Sequence, residues 1–124
     1  MKKILVIDDE PLIRTYLKAT LERAGYTVEE ASNGEEGLRK FYTFAPQLII
    51  TDIVMPDKDG IELIREIRKT DNATKFIAIS GGGYIEAEKY LTLAQALDIE
   101  TCLKKPLHTK ELLAAVSELL GAEP

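Results

Sequence analysis

The sequence predicts an α/β fold built on a five-stranded parallel sheet, and three observations carry that prediction. Short apolar runs alternate with amphipathic segments along the whole chain. The first and third runs are continuously apolar, as strands buried on both faces are. The second run is partly polar, as an edge strand is.

Strand 1 is Lys3–Ile7, and a helix follows in which Leu12, Ile13, Tyr16, Leu17 and Leu21 recur at helical spacing before Gly25 supplies a stop. Thr27–Ala31 is the weaker second strand, carrying the polar Thr27, Glu29 and Glu30. Asn33-Gly34 opens a helix with Leu38, Phe41 and Tyr42, closed by Pro46. The third strand is Gln47–Thr51; beyond Asp52, a loop with Pro56 and Gly60 leads to a helix bearing Ile61, Leu63, Ile64 and Ile67. Lys75–Ile79 is the fourth strand, stopping on Ser80. The span 85–97 reads as a fourth helix with Leu91, Ala94 and Leu97 inward. Glu100–Leu103 forms the last strand, and the last helix runs from about Thr109 to Leu120 on Leu112, Leu113, Val116 and Leu120.

Right-handed crossovers leave few topologies. Two central strands and a polar second strand favour the order 2-1-3-4-5, a flavodoxin-like (βα)5 three-layer sandwich. With no repeat, linker or low-complexity segment, residues 1–124 form one domain. Met1 and the short Gly121–Pro124 tail favour a stand-alone protein.

Composition narrows the function. A net charge of −5 argues against nonspecific binding to nucleic acid or an anionic membrane, and no Lys/Arg cluster exceeds two residues. No apolar stretch approaches a membrane span, and Asp8-Asp9-Glu10 ends the N-terminal apolar run too early for a signal peptide. Cytoplasmic residence is expected, and the single Cys102, inside an apolar strand, reads as a small buried thiol.

Ligands bind beyond strand C-termini in this topology, at the switch point between strands 1 and 3. The order places Asp8, Asp9 and Asp52 there, with Ser80 and Lys104 on the same sheet edge. Two carboxylates about 4 Å apart repel by roughly 4 kcal/mol at an effective dielectric near 20. Such a cluster needs a counter-ion; Lys104 offsets one charge and a divalent ion two more. All-oxygen ligation without His or thiolate clusters suits Mg²⁺ together with a phosphoryl group. An Asp beside such a metal can act as a nucleophile toward phosphorus, forming an acyl phosphate.

The runs Ile4-Leu5-Val6-Ile7-Asp8-Asp9, Ile49-Ile50-Thr51-Asp52-Ile53-Val54-Met55-Pro56 with Gly60, Ile79-Ser80 and Leu103-Lys104-Lys105-Pro106 together resemble the receiver domain of bacterial two-component response regulators, the CheY-like family. The resemblance covers nearly the whole chain. It implies that Asp52 accepts a phosphoryl group from the phosphohistidine of a sensor histidine kinase or a histidine phosphotransfer protein. It also implies Mg²⁺ ligation by Asp9, Asp52 and the carbonyl of Val54, with Asp8 acting through water. Lys104 then binds a phosphoryl oxygen, Ser80 moves toward the phosphoryl group with Gly81 beside it, and the Lys105–Pro106 bond is cis. The partner is a downstream effector, met on the surface of the fourth helix, last strand and last helix, with no direct nucleic-acid or membrane contact. The resemblance makes the chain a switch rather than an enzyme, promoting only its own phosphoryl transfer and loss.

Two departures stand out. The family carries Tyr or Phe three residues before the Lys; counted from Lys104 that position is Thr101, with Tyr84 a possible substitute. Gly81-Gly82-Gly83 follow the switch serine and permit many loop conformations, though they lack a nucleotide-binding spacing. His108, the only histidine, reads as a solvated residue near the start of the last helix. Three alternatives compete. A Mg²⁺-dependent phosphohydrolase of haloacid-dehalogenase type wants a second acid where Val54 stands. A flavin or nucleotide carrier wants a phosphate loop after strand 1, which is missing. A receiver cut from a larger transcriptional regulator fits the same residues.

Overall fold

In the computed structural model, which describes residues 2–53, 60–80 and 95–121, nine elements follow one another. They are β1 (Lys3–Ile7), α1 (Pro11–Arg23), β2 (Thr27–Ala31), α2 (Gly34–Phe44), β3 (Leu48–Asp52), α3 (Gly60–Arg68), β4 (Lys75–Ser80), β5 (Thr101–Lys104) and α4 (Thr109–Leu120). The five strands form one parallel sheet in the order β2-β1-β3-β4-β5. Fold class and strand order are those expected, with the polar strand β2 at an edge. Most of the expected fourth helix (85–97), together with Val54, Met55, Pro56, Gly81, Gly82, Gly83 and Tyr84, lies outside the described residues.

Strand alternation divides the core into two layers. Ile4, Val6, Ile50, Ile77, Ile79 and Leu103 face one side, where α1 (Leu17, Leu21) and α4 (Leu112, Ala115, Val116) cover them. Leu5, Ile7, Ile49 and Phe76 face the other, against Phe41 of α2 and Leu63, Ile64 and Ile67 of α3. Each fully buried Leu, Ile or Phe contributes about 1.5–3 kcal/mol, so the C-terminal sheet edge rests on a rigid base. Two expected inward residues are turned out instead: Leu12 is 84 % exposed and Tyr42 62 %. Leu17 and Leu21 are the buried residues of α1, with Ile13 and Tyr16 packed partly buried against the same core, and Phe41 fills the place beside Tyr42, meeting it edge-on.

Local chemistry sets the helix ends. Pro11 stands at the first position of α1, where its missing N–H costs nothing. Asn33 caps α2 by accepting from Glu36 N–H at 2.9 Å, and the Glu36 side chain accepts from Ser32 N–H, one residue before the cap, at 2.6 Å. Hydrogen bonding from Ser32 holds the Glu36 carboxyl below the usual range. Ala45 ends α2 in the left-handed conformation (φ 53°), just before Pro46.

Arg68, at the end of α3, ties several segments together. Its guanidinium donates to the carbonyls of Leu97 (3.4 Å), Thr74 (2.6 Å) and Asp98 (2.9 Å). It also pairs with Glu100 at 3.5 Å and lies 4.7 Å above the Phe76 ring. Glu100 in turn accepts from Phe76 N–H at 2.8 Å. That bond keeps Glu100 outside β5, which begins at Thr101 rather than at the expected Glu100. β3 likewise runs one residue past the expected end and includes Asp52, paired with Ile79.

Candidate functional site

The ends of β1 and β3 deliver the acids. Asp8 follows β1 directly, held by its N–H to the carbonyl of Ala31 at 3.2 Å. Its Oδ1 accepts from Glu10 N–H at 2.9 Å, bending the chain sharply into α1. Arg14, one turn into α1, donates to the Asp8 carbonyl at 2.6 Å and to Glu30 of β2 at 3.2 Å, fixing the Asp8-Asp9 peptide from behind. Asp52 closes β3 at 4 % exposure, while Asp8 is fully buried and Asp9 exposed. One carboxylate oxygen from each of Asp8, Asp9, Glu10 and Asp52 lies within 4.8 Å of the others.

Gly60 permits this packing. A Cβ at that position would overlap the carbonyl oxygen of Asp52 and sit 3.0 Å from Ile53 Cα, both backbone atoms that cannot swing aside. Gly60 N–H meanwhile donates to the Ile53 carbonyl at 3.0 Å. Gly60→Ala is expected to destabilise the chain by about 2 kcal/mol, the cost of forcing α3 off the end of β3. Urea unfolding measures it, and a loss under about 0.5 kcal/mol would show that the contact relaxes freely.

The cation of the site differs from the one expected. Lys104, read from the sequence as the phosphoryl-binding residue, is the last residue of β5 and is exposed. Lys105 instead carries its ammonium into the acid cluster, 2.8 Å from Glu10, 3.0 Å from Asp52 Oδ2 and 3.2 Å from Asp8 Oδ2. Strand parity explains the correction. With Leu103 inward, Lys104 alternates to the opposite face of the sheet. The next residue lies beyond the strand and reaches along its edge. The Lys105–Pro106 peptide is cis, and Lys105 N–H donates to the Ser80 carbonyl at 2.9 Å.

Shifting the lysine shifts the position that lacks an aromatic ring. Three residues before Lys105 is Cys102, not Thr101. Cys102 pairs with Ala78 in the sheet and is half-buried beside Ile53 and Ala78, not enclosed as its apolar strand suggested. Ser80 is nearly buried at the end of β4, opposite Lys104 in register. His108 is the exposed N-cap of α4 and stands apart from the acids. Val54 and Gly81, the other expected site residues, lie outside the described residues. Sequence reading missed three members. Lys105 could have been found from its contact with Pro106, and Glu10 from the unbroken acid run Asp8-Asp9-Glu10. No sequence signal marked Arg14.

The electrostatics follow from burial. Desolvation pushes the Asp8 carboxyl up to about 6. The Glu10 N–H bond opposes this shift, the Asp52 charge adds to it, and Lys105 opposes it. For Lys105, burial acts against the charged form, but the hydrogen bonds to Glu10 and Asp52 and the charges of Asp8 and Asp52 outweigh it, raising its pKa above that of an ordinary lysine. Asp8 Oδ2 is enclosed without an aligned hydrogen bond, and among the described residues it faces the Lys105 ammonium at 3.2 Å. A buried acceptor left so, beside three further carboxylates and no His or Cys, fits a hard, oxygen-ligated cation such as Mg²⁺.

Comparison with known proteins agrees with this geometry. Residues 4–117 match the family model of the response regulator receiver domain. The chain is 39% identical over 119 residues to the alkaline phosphatase synthesis transcriptional regulatory protein PhoP of Bacillus subtilis, covering 96% of this chain and 48% of that protein. It is 32% identical over 121 residues to the chemotaxis protein CheY of Halobacterium salinarum, covering 98% of each. Among solved structures, the response regulator TrrA of Thermotoga maritima, in complex with Mg(2+)-BeF, superimposes with a TM-score of 0.84 at 38% identity, over 97% of this chain and 100% of that one. The chain spans about half the length of the transcriptional regulators it matches.

Proposed function

The chain belongs to the response regulator receiver family, and from that premise we propose that it is a phosphoacceptor switch in which Asp52 is the acceptor. The observation that carries this reading is the placement of Asp52: at a strand end, 3.0 Å from the Lys105 ammonium and within a cluster of four acids. In the proposed reaction an Asp52 carboxylate oxygen attacks phosphorus of a phosphohistidine on a sensor kinase or histidine phosphotransfer protein. The P–N bond breaks, the imidazole leaves with the bonding pair and is protonated, and an acyl phosphate remains. Lys105 pairs with a phosphoryl oxygen, and Ser80 supplies a hydroxyl at the neighbouring strand end. Asp8, Asp9 and Asp52 would hold Mg²⁺, which would supply charge neutralisation at the transferring oxygens. Val54 and Gly81 complete the set on the family pattern. The chain works in the cytoplasm, promotes only its own phosphoryl gain and loss, and signals to an effector through the side bearing β5 and α4. The half-length match favours a second reading in which that effector is a further part of a longer transcriptional regulator.

Intact mass after incubation with Mg²⁺ and acetyl phosphate tests the acceptor. Wild type is expected to gain about 80 Da, one phosphoryl group, and Asp52→Asn nothing. Equal gain in both would remove Asp52 from the role.

Metal binding is expected to be proton-linked. Asp8, its folded pKa raised from 3.8 to about 6, contributes stability that is full below the unfolded value and lost as pH rises through about 6. A cation binding the ionised form competes with that proton. The rise in Tm produced by millimolar Mg²⁺ should therefore be largest above about pH 7 and fall away below about pH 6. A Mg²⁺-induced rise that does not vary across this range would detach Asp8 from the metal.

A further inference from the structure

We propose that Glu10 is a positioning residue that holds the Lys105 ammonium back from an incoming phosphoryl donor, and so sets how readily the site takes one up. This inference rests on the phosphoacceptor reading. Glu10 occupies the N-cap position of α1, and its side chain makes no capping bond to the helix. It reaches instead to Lys105, across 95 residues of chain. Of the three carboxylates on that ammonium Glu10 lies nearest, at 2.8 Å against 3.0 and 3.2 Å.

The three partners differ in what they can release. Asp8 is fully buried and Asp52 nearly so, so parting either from the ammonium breaks an ion pair already withdrawn from water. The Glu10 side chain is 58 % exposed and can return to water at little cost. An anionic donor approaching Lys105 displaces the Glu10 carboxylate first, and the strength of that one contact enters its apparent affinity. Glu10 thereby acts on the donor through Lys105 without touching the phosphorus.

Three chains decide this: wild type, Glu10→Gln, and Glu10→Asp, which keeps the charge but is too short to reach. Half-saturating acetyl phosphate in the mass assay is expected to fall about threefold in both variants, as release of an exposed ion pair predicts. An effect in Glu10→Gln alone would make it one of net charge and overturn the proposal. Acylation of Lys105 by acetic anhydride, read by peptide mass spectrometry against Lys104, should rise about threefold in both variants. Unchanged labelling would overturn the proposal. The Mg²⁺ concentration giving half the thermal shift should stay within about twofold of wild type. A tenfold weakening would make Glu10 a metal ligand instead and also overturn it. If no chain gains a phosphoryl group, or Asp52→Asn gains one, the phosphoacceptor reading fails, and the Lys105 labelling decides the Glu10 contact by itself.

Discussion

Lys105→Met is expected to lower the stability of the metal-free chain by about 3 kcal/mol near neutral pH, while Lys104→Met leaves it unchanged. The ammonium of Lys105 is shared by Asp8, Glu10 and Asp52, and two of these are withdrawn from water. Removing it leaves buried carboxylates facing one another without a cation. Lys104 has no part in the cluster despite its adjacent position. The pH dependence supplies a second check. Without the lysine the Asp8 carboxyl rises further above about 6, so the penalty is greatest where Asp8 must ionise. The deficit should shrink by more than half at about pH 5, where a proton takes the place of the ammonium. Urea unfolding at the two pH values measures both quantities. A deficit that does not change with pH would mean that Lys105 acts by packing rather than by charge.

Asp52→Asn has the opposite sign. In the absence of metal it is expected to raise stability by about 1–2 kcal/mol. Among the described residues Asp52 gains from the Lys105 ammonium, which it shares, and is opposed by the neighbouring acids. At an effective dielectric near 20 an attraction and a repulsion at about 4 Å each amount to roughly 4 kcal/mol and nearly cancel. What remains is the cost of holding an ionised carboxylate at 4 % exposure, which the neutral amide avoids. Saturating Mg²⁺ should reverse the order, since wild type keeps the full set of oxygen donors. Calorimetry of both chains with and without Mg²⁺ tests this. A metal-free variant markedly less stable than wild type would show that the Lys105 pair outweighs the crowding of acids. At the other extreme of pH, Asp71 is held below the usual range by its bond from Thr74 N–H, and its stabilising contribution is lost as pH falls.

The sheet was legible because its signal is redundant. Each central strand repeats the same apolar run, and the polar residues of β2 mark an edge whatever the exact boundaries. Asp8, Asp9 and Asp52 follow from that order alone, since a residue at the end of a central strand has no other place to go. Lys104 and Lys105 were harder to tell apart because the choice hangs on one residue of strand parity. Sequence periodicity locates β5 to within about two residues, too coarse to decide it. Leu12 and Tyr42 are hydrophobic residues at helical spacing that the folded chain leaves outside. Composition cannot distinguish them from Leu17 or Phe41, because the difference lies in which stripe meets the sheet. The contacts of Arg14 and Glu10, as distinct from the acid run that marks Glu10, lay beyond reach for another reason. Their partners, the Asp8 carbonyl and the Lys105 ammonium, become neighbours only once the chain has folded.

Arg68 gives the sheet two unlike ends. Three carbonyls, one carboxylate and one aromatic ring converge on its guanidinium near the start of β4 and just ahead of β5. The opposite ends of those same strands carry Ser80 and Lys105, whose link is a single backbone bond. The pair is a cantilever, clamped at the foot and loaded at the tip. Charge brought to that tip is borne by strands whose other end the guanidinium holds.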